Sequence, residues 1–115
     1  MISREKAREL VMAKIRSSWS VRDDEPVIAD EATREEDFGW VFFYNSRRYR
    51  ETKKMAFALA GNGPVVVDRV SEAVTMLGSA GGVAHQLSEY RRLKKADPVG
   101  TDTTGLRPIV SDLNR

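Results

Sequence analysis

The run Trp40-Val41-Phe42-Phe43-Tyr44 constrains the fold of this chain more than any other stretch of its sequence. Aromatic and β-branched side chains at this density suit a pleated, buried surface, and the turn signal Asp37-Phe38-Gly39 immediately before them marks where a strand begins. Side chains alternate along a strand, so Trp40, Phe42 and Tyr44 share one face while Val41 and Phe43 share the other. Both faces then require cover at least in part, and the strand is expected at the centre of a sheet.

The flanking segments supply candidates for the rest of that sheet and for its cover. From Ser3, an N-cap residue type, Ala7, Leu10, Val11, Ile15 and Trp19 recur at helical spacing among charged residues, which predicts an amphipathic helix. Asp23-Asp24-Glu25-Pro26 breaks it, and Val27 to Arg34 reads as a strand whose many acidic side chains suit either a sheet edge or one wet face. Ser46 to Lys54 is basic and has no apolar period, while Met55 to Leu59 fits either a short helical turn or an irregular connection. Gly61-Asn62-Gly63-Pro64 is turn chemistry leading into the strand Val65-Val66-Val67, which Asp68 ends. Val74 to Leu77 is expected to form a hairpin with that strand. A second helix is predicted from about Gly82 to Lys95, with Val83, Leu87 and Tyr90 on one stripe and cations at its C-terminal end.

This order of elements predicts an α+β fold: a small two-layer domain over 1–95, with an antiparallel sheet of three or four strands and the N-terminal and C-terminal helices on one face. Residues 96–115 read as a C-terminal tail rich in Pro, Gly, Thr and Asp, in which Leu106, Ile109, Val110 and Leu113 return near the end. A chain of 115 residues accommodates one core and no second domain.

Elimination narrows the chemistry. With no cysteine in the sequence there are no disulfides, thiolate nucleophiles or cysteine metal ligands, in keeping with a reducing compartment. The N-terminus enters a charged helical pattern directly and no apolar run has the length of a membrane span, so the expected location is the cytoplasm, without a membrane partner. The single histidine, His85, falls off the apolar stripe of its helix and is expected to face solvent. No metal-ligand spacing, serine-hydrolase elbow or phosphate loop is present; Gly61-Asn62-Gly63 precedes a strand instead of opening a helix. The reading is a protein without catalytic residues, cofactor or metal.

A formal net charge of +2 argues against nucleic acid as the partner, but the charges are segregated. Acidic residues dominate Asp23 to Asp37, whereas Arg47, Arg48, Arg50, Lys53 and Lys54 crowd the stretch after Tyr44. Arg47, Arg48, Tyr49 and Arg50 leave the end of the strongest strand and combine the residue types favoured at interface hot spots, so they are the candidate partner-binding residues. Two other roles remain open for them: ion pairing with the chain's own acidic stretch, and phosphate contact with base stacking.

Read together, Gly39-Trp40-x-Phe42-x-Tyr44, Arg48-Tyr49-x-Glu51-Thr52, Leu59-Ala60-Gly61-Asn62-x-Pro64, Asp68, Leu77-Gly78-Ser79 and Leu87-x-x-Tyr90 resemble the YrhB-like immunity protein 35 family. One departure is visible: Ser71-Glu72-Ala73 stands where the family's hairpin turn usually carries a glycine. The resemblance implies a bacterial immunity protein that binds a cognate polymorphic toxin domain and blocks it without catalysis. It also leaves room for a stand-alone, chaperone-like small stress protein, and it carries over no catalytic residues.

Overall fold

A computed structural model describes residues 1–59 and 62–96. The expected helix forms as α1 (Arg4–Ser17), with the Ser3 hydroxyl accepting the Lys6 N–H at 3.1 Å as its N-cap. Strands β1 (Pro26–Ile28), β2 (Arg34–Glu36), β3 (Gly39–Phe42) and β4 (Tyr44–Ser46) follow, then the short helix α2 (Arg47–Thr52). Strands β5 (Val65–Asp68) and β6 (Val74–Met76) form the expected hairpin, and α3 (Gly82–Ala96) closes the described chain.

All pairings are antiparallel, and among the described residues they make a four-stranded sheet in the order β2-β3-β5-β6 and a two-stranded ribbon of β1 with β4. Strand β3 is central, as its composition requires. Gly39 opens it for a steric reason: a Cβ at this position would lie 1.9 Å from the Val67 carbonyl oxygen of β5. The fold is α+β, with helices from the N- and C-terminal parts of the chain packed on an antiparallel sheet.

Two expectations about this region need correction. The acidic stretch is not one strand from Val27 to Arg34; a 3₁₀ turn, Asp30–Ala32, divides it into β1 and β2, which belong to different sheets. The aromatic run likewise breaks at Phe43, whose carbonyl accepts the Ala29 N–H at 2.8 Å, and the chain then peels away as β4 to pair with β1. The two breaks are complementary, since the segments they release, β1 and β4, pair with each other outside the main sheet.

A third correction concerns the layers. The helices do not share a face. Ala7, Val11 and Ile15 of α1 pack on Ile28, Trp40, Phe42, Val65 and Val67, whereas Leu87 of α3 packs on Phe38, Val41 and Val66, flanked by Val83 and Tyr90. The domain therefore has three layers. Val65, Val66 and Val67 are all fully buried although they alternate between faces, and one helical layer would leave Val41 and Val66 in water.

The β5–β6 turn forms without the family's glycine. Glu72 adopts φ 66°, and the Asp68 carboxylate accepts the N–H groups of Val70 (2.8 Å) and Ser71 (2.9 Å), so a side chain organises the turn. Leu106, Ile109, Val110 and Leu113, and with them the expected tail, lie outside the described residues, as does Gly61.

Candidate partner-binding surface

The segment after β4 is a capped helix. Ser46 is 1% exposed; its hydroxyl accepts the Tyr49 N–H at 3.1 Å and donates to the Phe57 carbonyl at 2.6 Å, joining the start of α2 to the turn beyond it. Asp24 supports the same end by accepting the Arg48 N–H at 3.2 Å and the Glu25 N–H at 2.8 Å. Desolvation pushes the Asp24 carboxyl up, but the N–H donors of Glu25 and Arg48 outweigh it and hold the group below the usual carboxylate range.

The structure brings the acidic and basic stretches together. Arg47 bridges Glu25 at 3.1 Å and Glu51 at 3.2 Å, and Arg50 reaches Glu31 at 3.0 Å. The Arg50 hydrogen bond holds the Glu31 carboxyl below its ordinary value. Arg48 instead lays its guanidinium over the Phe57 ring, 5.6 Å from the centroid, and Tyr49 is half-buried beneath the Lys53 ammonium at 5.7 Å. Among the described residues, Arg48, Lys53 and Lys54 form no ion pair, and Met55 stands beside them with 76% of its surface in water. The segregated charge of the sequence is thus partly consumed inside the molecule, leaving a smaller cationic surface with an apolar tip.

Met55 was not singled out by sequence reasoning, because it opens an apolar run that suggests burial. The left-handed turn that ends α2 before Met55 falls on Lys53 (φ 60°), where the sequence carries no glycine to mark it.

The Asn62-Gly63-Pro64 segment lies against the backbone of two other segments. Asn62 donates to the Tyr44 carbonyl at 2.8 Å, Pro64 accepts the Leu77 N–H at 2.8 Å, and a Cβ on Gly63 would lie 2.1 Å from the Gly78 carbonyl oxygen. Beside it, Phe43, Tyr44, Pro64, Ser79 and Val83 border a half-open cleft of about 130 Å³. Burial raises the Tyr44 hydroxyl pKa there. His85 is exposed on the outer side of α3, as expected. Among the described residues no three His, Asp or Glu side chains gather as a metal ion would require, and no helix is long and apolar enough to cross a membrane.

Fold and surface define a small α+β protein whose polar groups serve its own turns and caps while an ordered basic segment is held outward. The family model described as Immunity protein 35 matches residues 4–93, and the chain belongs to that family. It is also similar to a protein of Escherichia coli (strain K12) described as uncharacterized protein YrhB, with 38% identity over 58 residues. That alignment covers 50% of this chain and 61% of the relative, so it spans less than two thirds of the relative's length. No solved structure matches the chain.

Proposed function

We propose that this chain is a non-catalytic bacterial immunity protein that binds a cognate toxin domain and neutralises it in the cytoplasm, docking it through α2 and the turn that follows. Membership of the immunity protein 35 family over residues 4–93 carries this reading. The geometry supports the choice of surface. Arg47 and Arg50 are fixed by ion pairs to Glu25 and Glu31, and Ser46 and Asp24 fix the helix start, so Arg48, Tyr49, Lys53, Lys54 and Met55 rest on a preorganised base. Binding through such a base loses less conformational entropy than binding through a loop. The exposed cations suit an acidic partner protein, and Met55 offers it an adaptable apolar contact.

The test is affinity capture of the tagged chain from its native lysate, followed by titration of the captured partner against Arg48→Glu/Lys53→Glu. One dominant protein partner is expected, with binding weakened roughly ten-fold or more and the melting temperature unmoved. Many substoichiometric partners, or binding to nucleic acid that falls steeply with salt, would overturn the toxin reading. Unchanged affinity in the double variant would move the interface off α2. His85→Ala is expected to leave binding unchanged.

A further inference from the structure

The two edges of the four-stranded sheet differ in their chemistry. The β2 edge is Arg34-Glu35-Glu36, and charged side chains of this kind discourage a further strand from pairing. The β6 edge, Val74-Thr75-Met76, carries no charge, and from Ala73 to Ser88 no side chain bears a formal charge at neutral pH. Among the described residues nothing pairs with β6 on its outer side. Met76 is 37% exposed, and Val70, in the turn at the start of β6, is 74% exposed.

The register shows which main-chain groups point outward. Leu77 donates to Pro64 and Asp68 donates to Ala73, so residues 73, 75 and 77 face β5. Alternation then turns the N–H and C=O groups of Val74 and Met76 away from the sheet. We infer that this edge pairs with the same edge of a second copy of the chain, antiparallel about a two-fold axis through Thr75. In that register Val74 of one copy exchanges both main-chain hydrogen bonds with Met76 of the other, and Met76 with Val74, so every outward group on the edge is matched.

Charge favours a second copy as the occupant. No like charges meet along the edge. Glu72, just before β6, comes toward the Gly78–Gly82 segment of the other copy, which leads into the N-terminal end of α3, where a carboxylate is favoured. The shortness of the edge sets the strength: three paired residues and their flanks fall below the roughly 800 Å² per partner of a standard interface, so the dimer is weak and concentration-dependent. This inference is independent of the α2 surface and of any toxin.

Sedimentation equilibrium of the full chain from about 10 µM to about 1 mM tests it, a range that brackets weak association. The expected mass rises from the monomer's 12.9 kDa toward twice that value as concentration increases. Met76→Lys places a charge on the edge, and Met76→Pro removes an N–H that β5 does not use; each is expected to raise the dissociation constant at least roughly ten-fold while the dilute melting temperature stays unchanged. A monomer mass at every concentration overturns the inference. So does a dimer that persists in Met76→Lys, the variant that leaves the backbone untouched.

Discussion

Glu72 occupies the left-handed region at φ 66°, a conformation that costs a side chain with a Cβ about 1–2 kcal/mol. Its N–H donates to the Asp68 carbonyl at 2.9 Å, a bond that any residue makes there. Glu72→Gly should therefore stabilise the fold by about 0.5–1 kcal/mol, the relief of strain exceeding the entropy that glycine loses on folding. A urea melt checks this, and a destabilised variant would mean that the carboxylate has a role beyond the turn. Gly63 is the opposite case. A Cβ 2.1 Å from the Gly78 carbonyl oxygen meets backbone, which cannot step aside, so Gly63→Ala should destabilise by about 2 kcal/mol or more. The sequence marked Gly63 as a turn residue; the constraint is the close approach of a second chain segment, which a linear reading does not contain.

Elements were legible where one period dominated. Of the expected first stripe, Ala7, Val11 and Ile15 face the core, Trp19 packs against it from beyond the helix end at Ser17, and Leu10 is not part of it, while Val83, Leu87 and Tyr90 of α3 face core as expected. The break at Phe43 was hidden because aromatic residues continue through it, and the exit of β4 depends on a pairing with β1, distant in sequence. The layer count was hidden differently. Val65-Val66-Val67 does not alternate in polarity, the mark of a strand buried on both sides, yet helix stripes do not say which side of a sheet they cover. The opposed arrangement has a measurable consequence. Val11→Ala and Leu87→Ala should each destabilise, by about 2–4 kcal/mol for the leucine and somewhat less for the valine. The sheet separates the two sites, so the double variant should equal their sum within about 0.5 kcal/mol in chemical denaturation. A larger coupling energy would place the helices in contact on one face.

Over the whole molecule, carboxylate–cation contacts tie each helix to the sheet or to its connections. Arg8 of α1 holds Asp30 at 2.7 Å, and Arg50 of α2 holds Glu31 at 3.0 Å. Arg91 of α3 holds Glu36 at 2.8 Å and Asp37 at 2.7 Å, while Lys94 pairs with Asp68, a residue 4% exposed. The carboxyls of Asp30, Glu31, Glu36 and Asp37 lie below their ordinary values because of these arginine hydrogen bonds. Burial alone would raise Asp68, but Lys94 and the N–H groups of Ser71 and Val70 outweigh it and lower that carboxyl too. A depressed carboxyl binds its proton less readily in the folded chain than in the unfolded one, so acid shifts the balance toward unfolding. Stability should be level above about pH 5 and fall progressively below about pH 4, as these groups are protonated. The exposed pairs contribute little each, whereas Asp68 is buried and organises both the β5–β6 turn and the C-terminal end of α3. Asp68→Asn should accordingly cost about 1–3 kcal/mol at pH 7, and its deficit against the native chain should shrink as pH falls toward 2, where the native carboxyl is protonated as well. Urea melts across that range measure the gap, and a deficit that stays constant down to pH 2 would show that the charge of Asp68 contributes nothing and that its shape alone supports the turn.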